Sequence, residues 1–218
     1  MKCKAIFLKI AIMLLISILY CQTKDKESGT FTDPHDGNVY KWVKIGDQIW
    51  MAENLRFETD DGSWCWENKE ENCHSRGRLY NWATAMEASP PGWHLPSDDE
   101  WKELERTLGL TKEQADQEGF RVDKDGLLAG KIKLKEAWPD KYKENSIIIT
   151  NETDFSAIKT GLYSNDEFNH DGYTGWWTSD DDDNDTHAWI RHIGFFDNTI
   201  GRILNRKEFA FPVRCIKD

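Results

Sequence analysis

The order of helical and extended patterns along the chain most constrains its fold. Apolar residues recur at helical spacing only in the first half. After Phe120, short segments rich in β-branched and aromatic residues are separated by Gly, Asn and Asp. Helices and strands do not alternate, which argues against a parallel βαβ array, and no repeat or linker marks a second domain. The sequence therefore predicts one α+β domain.

Three helices are predicted in the first half. One runs from about Gly77 to Ala88, where Pro and Gly residues follow. The second starts at a capping box formed by Ser97 and Glu100 and stops at Gly109. A third, weaker pattern covers residues 111–118.

The remaining patterns predict strands. Residues 39–45 alternate in polarity and lead through Gly46-Asp47 into a second extended run, which predicts a hairpin. Other segments with strand character are residues 147–150, 175–179, 188–193 and 209–216.

The first twenty residues have the pattern of a secretory signal peptide. Three lysines precede or interrupt an apolar run, Ile10–Leu19, that is too short to cross a bilayer. A polar stretch follows this run, which argues against a buried core helix. The predicted organisation is a signal peptide at 1–20, a polar tether at 21–30 and a domain at 31–218.

Cys21 lies at the end of the apolar run, and this context resembles a bacterial lipobox. Tyr20 departs from the small residue expected there, so ordinary cleavage nearby is the alternative. We favour lipidation of Cys21, because a polar tether follows. The protein would then be held at the cell envelope or surface by a lipid anchor only; the alternative is a secreted or periplasmic protein.

The other cysteines bear on redox chemistry. Cys65 and Cys73 lie in one short polar segment, and export to an oxidising compartment favours a disulfide between them. A metal site that also uses His74 is the rival interpretation and lacks a second pair of ligands. Cys215 is then expected to be a buried free thiol in the last strand.

Charge and aromatic content narrow the range of partners. The formal net charge is -11, which opposes binding to nucleic acids. Eleven tryptophans are many for 218 residues. We expect most of them in the core, and the alternative is a platform on which sugars or other flat ligands stack.

Several strings together resemble the Fibrobacter succinogenes major paralogous domain family. They are Phe31-Thr32-Asp33, Asp36 to Tyr40, Ile45 to Leu55, Gly77 to Trp82, Gly92 to Ser97 with Glu100-Trp101, and Val213 to Asp218. The resemblance implies a C-type-lectin-like fold, with two helices flanking small, irregular antiparallel sheets. It also implies exported or lipid-anchored bacterial proteins, and it implies little about chemistry. Family members often carry Cys where this chain has Ser89, which implies that Cys215 has lost a partner.

No catalytic motif is recognised. The chain lacks the calcium-dependent sugar-binding strings of C-type lectins, and it contains neither Gly-x-Ser-x-Gly nor His-Glu-x-x-His. An enzyme on a scaffold like that of formylglycine-generating enzymes is the least favoured hypothesis, because Cys215 has no second cysteine nearby. The carboxylates of Asp181, Asp183 and Asp185 are the candidate ligands for calcium as a cofactor, but a solvated hairpin loop is favoured over a calcium site.

We therefore expect a non-catalytic, lectin-like binding module whose ligand is a polysaccharide or a protein. The alternative is a structural or adhesion component of the envelope that recognises protein. Strand alternation at Trp176 and Trp177 predicts one core ring and one exposed ring. These two tryptophans, with His170 and Tyr173 of the preceding loop, are the predicted ligand-binding residues.

Overall fold

The computed structural model describes residues 26–138, 147–182, 185–194 and 196–218. The signal peptide, the lipidation site at Cys21 and most of the tether lie outside the described residues. In the part of the chain that is described, none of the helices has the length and apolar character needed to cross a membrane.

The described residues contain short strands and short helices, which confirms the α+β class. The strands are β1 (Ser28–Thr32), β2 (Val39–Ile45), β3 (Gln48–Met51), β4 (Ser63–Trp64), β5 (Leu79–Tyr80), β6 (Trp93–His94), β7 (Gly119–Arg121), β8 (Leu162–Ser164), β9 (Glu167–Asn169), β10 (Tyr173–Asp181), β11 (His187–Gly194), β12 (Ile200–Arg206), β13 (Phe211–Pro212) and β14 (Ile216–Lys217). The α-helices are α1 (Glu70–Arg76), α2 (Trp82–Glu87), α3 (Asp98–Thr107) and α4 (Lys112–Asp116). Single 3-10 turns occur at Trp66–Asn68, Ala129–Lys131 and Lys135–Ala137.

The strands form small sheets in which every strand pair is antiparallel. Their orders are β1-β2-β3-β14-β6, β10-β11-β12-β7, β13-β5-β4 and β8-β9. Strand β14 lies between β3 and β6, with Ile216 opposite both Trp50 and His94. The last strand of the chain thus completes the sheet that the first strands begin.

The predicted helix at 77–88 is shorter than expected. Leu79 and Tyr80 instead form β5, paired with β4 and β13, and the helix begins after Asn81, whose side chain accepts a hydrogen bond from the Thr84 amide. The predicted capping box of Ser97 with Glu100 is confirmed at the start of α3. The third helix is confirmed as α4 and is shorter than predicted.

Three predictions about extended segments are wrong. Residues 147–150 form no strand; the Thr150 amide donates to the Gly130 carbonyl in an irregular stretch. The predicted tether overlaps β1, because Ser28 already pairs with Val43. The last predicted strand divides into β13 and β14, since the chain crosses here from one sheet to another.

Strand β10 lies between the two main hydrophobic clusters. Trp176 belongs to one cluster with Trp50 and Trp101, and Trp177 belongs to the other with Phe211. The ring centroids of Trp50 and Trp101 are 4.8 Å apart, and those of Trp177 and Phe211 are 5.0 Å apart. Seven of the eleven tryptophans are buried, which confirms that most of them form core.

A buried ionic network attaches α3 to the sheet of β7, β11 and β12. Glu105 accepts hydrogen bonds from Arg121 and Arg191, with the closest N–O distances both 2.7 Å. Asp98 accepts from Arg191 and Arg202 at 2.8 Å. Burial by itself would raise the pKa of Asp98, but hydrogen bonds from these two arginines and from Lys102 hold it well below its usual range.

Candidate functional site

A cavity of about 570 Å³ opens beside the first hairpin. Strands β1 and β2 form one wall, and the loop after β3, the end of α1 and residues 154–158 supply the others. Arg214, between β13 and β14, lies at the buried end. The cavity therefore collects residues that are far apart in the sequence, and its volume suits a small organic ligand.

Trp42 is the aromatic group of this cavity. It is half-buried on β2, and its indole lies against Gly29 of β1. A Cβ at position 29 would come within 2.8 Å of the indole ring, so this close approach requires glycine. The indole of Trp42 therefore packs against β1 and forms part of the cavity wall.

The three other half-buried tryptophans are covered by neighbouring side chains. The Lys207 ammonium lies 4.2 Å from the ring centroid of Trp82, the Arg202 guanidinium lies 3.8 Å from that of Trp189, and Trp64 stacks on Tyr163 at 4.8 Å. Trp42 alone among these half-buried tryptophans lines the cavity.

Basic groups outnumber acidic groups in the lining. The basic residues are Lys41, Arg56, His74, Arg76 and Arg214, and the acidic ones are Glu53 and Asp154. Asp154 pairs with Lys26 at 2.7 Å, and Arg76 pairs with Asp171 at the same distance. The lining is thus locally cationic, although the chain as a whole carries a net charge of -11.

Arg214 is buried and is held by neutral oxygens. It donates to the Asn54 side-chain oxygen from Nε at 3.1 Å and from Nη2 at 2.8 Å. Its Nη1 donates to the carbonyls of Met51 and Phe155. Burial lowers the pKa of Arg214 to about 9, so the group remains charged at neutral pH.

Asn54 fixes Arg214 from the loop after β3. Its oxygen also accepts from Trp176 Nε1 at 3.0 Å, and its amide nitrogen donates to the Arg76 carbonyl at 2.8 Å. Glu53, the next residue, accepts from the Lys41 amide at 2.7 Å. The β2–β3 hairpin, α1 and Arg214 are therefore joined by one set of hydrogen bonds along the cavity.

The disulfide predicted between Cys65 and Cys73 is confirmed. It ties α1 to the preceding segment and holds the helix end that carries His74 at the cavity. The rival metal site is wrong, since the two sulfurs are bonded to each other and cannot act as thiolate ligands. This pair with Glu70 is also the one group of potential metal ligands found among the described residues.

Cys215 is a buried free thiol, as expected, but it lies just before the last strand and not within it. Burial raises its pKa to about 12, so the thiolate is not formed at neutral pH. Ser89 Oγ lies 3.4 Å from Cys215 Sγ. Ser89 therefore contacts this thiol directly.

The expectation that one ring of Trp176 and Trp177 is exposed is wrong. Both side chains are fully buried, because β10 has hydrophobic clusters on both of its faces. Trp177 Nε1 donates to the Tyr80 carbonyl at 2.8 Å. Neither indole offers a ring face to an external ligand.

His170 and Tyr173 lie in an aromatic surface patch. Tyr173 stacks on His192 with centroids 5.1 Å apart, and His170 meets the edge of Tyr173 at 5.8 Å. Phe120 and Phe196 extend the patch and are 62% and 45% exposed. Burial, followed by the nearby His170, lowers the pKa of His192 to about 4, so its ring is neutral at pH 7.

The acidic loop is partly neutralised by a lysine. The Lys207 ammonium lies 2.6 Å from an Asp181 oxygen and 2.9 Å from an Asp185 oxygen. Calcium would have to displace this cation. Asp183 lies outside the described residues, and calcium binding by this loop stays the less favoured alternative to a solvated hairpin loop.

Sequence reasoning did not find the cavity. The sequence pattern places Trp42 in a predicted hairpin and Arg214 in a string that resembles the family. Neither the spacing of these residues nor their types indicates that they meet. One available signal was the pairing of Gly29 with a tryptophan on the next strand, and it depends on a register that the sequence does not specify.

Comparison with protein families gives a match over most of the chain. The family model described as the Fibrobacter succinogenes major domain matches residues 43–217, which is most of the chain. No curated protein matches, and no solved structure matches.

Proposed function

The chain belongs to the Fibrobacter succinogenes major domain family, and from that premise we propose that it is an exported bacterial binding protein with a non-catalytic, lectin-like module. Its ligand occupies the cavity of Trp42. Two features support the lectin-like architecture. Short helices lie beside small antiparallel sheets, and the last strand of the chain belongs to the same sheet as the first strand.

Export and anchoring rest on the N-terminal sequence. The basic start and short apolar run direct the chain to secretion, and acylation of Cys21 holds it at the envelope. Metabolic labelling with a fatty-acid analogue tests this. We expect label on the wild type and none on Cys21→Ser. An unlabelled wild type cleaved near residue 21 would favour ordinary secretion.

The observation that carries the binding proposal is the cavity of about 570 Å³ with an indole in its wall. Sugar rings stack on indole faces, and the guanidinium and amide groups around them supply hydrogen bonds. These donors suit binding better than proton transfer, because arginine does not release its proton in the physiological range. The ligand class that fits best is a saccharide.

A glycan array followed by calorimetry on the full-length protein tests this proposal. We expect Trp42→Ala to abolish measurable binding of the best array ligand. Trp64→Ala is the matched control, since Trp64 is also half-buried but lies outside the cavity. Equal affinities for both variants and the wild type would contradict the assignment of the cavity.

A second candidate function, recognition of an envelope protein, is favoured by the aromatic patch. Phe120 and Phe196 are large exposed apolar side chains beside Tyr173 and His192. Exposed aromatic groups of this kind are enriched at protein interfaces. If this function holds, Phe120→Asp will prevent crosslinking to an envelope partner, while Trp42→Ala will not.

A further inference from the structure

The nine arginines of the chain differ in how their charge is compensated. Seven form an ion pair with a carboxylate, while Arg56 and Arg214 form none among the described residues. Both unpaired arginines line the cavity of Trp42. Two uncompensated guanidinium groups in one cavity point to an anionic ligand.

The environment of Arg56 supports this inference. Its Nε donates to the side-chain oxygen of Asn38 at 3.1 Å, and its Nη2 donates to the Val39 carbonyl at 2.7 Å. Its guanidinium also lies 4.4 Å from the ring centroid of Tyr40. These neutral partners hold the group in place without cancelling its charge.

Arg214 is the more demanding case, because a buried charge without a counter-ion is costly. Its side chain contacts neutral oxygens, and its guanidinium lies 4.3 Å from the ring centroid of Phe155. The charge of Glu53 opposes the lowering of the Arg214 pKa, but these two residues form no ion pair. A bound carboxylate would supply the missing negative charge.

We propose that the cavity binds an acidic saccharide, with a sugar ring on Trp42 and a sugar carboxylate on the guanidinium of Arg56, attracted also by the buried charge of Arg214. The fork of a guanidinium matches the two oxygens of a carboxylate. Lys41 adds a further positive charge to the lining. This inference deepens the proposed function and rests on it.

Calorimetry with a matched pair of ligands tests the inference. The probes are an oligomer of galacturonic acid and the corresponding neutral oligomer of galactose, titrated into the full-length protein. We expect the acidic oligomer to bind roughly 10–100-fold tighter, because charge-assisted hydrogen bonds account for the difference. Raising the salt concentration should weaken acidic binding and leave neutral binding unchanged.

Substitutions of single arginines test whether their charge, and not a general loss of structure, accounts for the binding of the acidic oligomer. Arg56→Gln should lower affinity for the acidic oligomer about tenfold and leave affinity for the neutral one unchanged. Arg206→Gln is the control, because Arg206 is exposed, pairs with Glu208 and lies outside the cavity. Arg214→Lys keeps the buried charge, so this variant should still bind the acidic oligomer more tightly than the neutral one.

The outcomes distinguish this inference from the proposed function. Equal affinity for both oligomers, with loss of both in Trp42→Ala, would overturn the acidic ligand and keep the binding module. Binding of inorganic phosphate as tightly as the acidic oligomer would also overturn it, since the sugar would then contribute nothing. Failure of every saccharide to bind would refute both proposals.

Discussion

Removing the charge of Glu105 should be the most damaging conservative change in this protein. Glu105 is fully buried, and its two oxygens accept three hydrogen bonds from Arg121 and Arg191, at 3.0, 2.7 and 2.7 Å. Glu105→Gln keeps the shape and the helix propensity. It leaves Asp98 as the only carboxylate of a network that contains three arginines.

The size of the effect follows from this geometry. Breaking a buried ion pair on one side costs about 3–5 kcal/mol, because the remaining charge stays buried without compensation. A folded domain is stable by only about 5–15 kcal/mol, so the variant should be marginally stable. At about 2–4 °C per kcal/mol for a chain of this size, Tm should fall by roughly 6–20 °C.

Urea unfolding followed by tryptophan fluorescence measures the change in the free energy of unfolding. Glu103→Gln is the control, since Glu103 lies on the same helix, is exposed and, among the described residues, forms an ion pair with Arg106 alone. That surface pair should contribute less than about 1 kcal/mol. If Glu105→Gln lost no more stability than Glu103→Gln, the argument from buried charge would be refuted.

Three further predictions concern residues outside this network. Ser89→Cys should form a disulfide with Cys215, detected as the loss of one free thiol. Because this disulfide closes a long loop in the unfolded chain, it should raise the free energy of unfolding by about 5 kcal/mol. Two titratable thiols in the oxidised variant would contradict this prediction. In the wild type, Cys215 should react with a thiol reagent only after unfolding, and rapid labelling of the native protein would show that the site is open. Burial lowers the pKa of His94, but hydrogen bonds to Asp218 and Glu100 outweigh it and raise the pKa above 6.5. The contribution of His94 to stability is therefore complete below pH 6.5 and is lost as pH rises through the pKa of the folded state. His94→Gln should remove this pH dependence, which urea midpoints at acidic and alkaline pH measure. Identical pH profiles for the variant and the wild type would disprove the prediction.

Local patterns predicted the elements that local interactions stabilise. The capping box of Ser97 with Glu100 and the hairpin turn at Gly46 depend on residues a few positions apart, so both were predictable. Strand β12 was missed, because glycine and arginine at its start interrupt the apolar pattern. These residues suit that strand only because β7 and β11 lie on either side of it.

The tryptophans show where sequence patterns stop being sufficient. Alternation placed Trp176 and Trp177 on opposite faces of a strand, and they do enter different hydrophobic clusters. Alternation does not reveal whether the second face is covered. That depends on how the sheets pack, so the expected exposed ring was wrong.

By itself, the sequence determined the α+β class, the pairing of Cys65 with Cys73, the start of α3 and the family. Each follows from near neighbours or from recurrent strings. Only the tertiary structure decided that Trp42 and Arg214 line one cavity. They meet because the chain's last segment packs beside its first hairpin, and contacts across that distance depend on packing that no local pattern encodes.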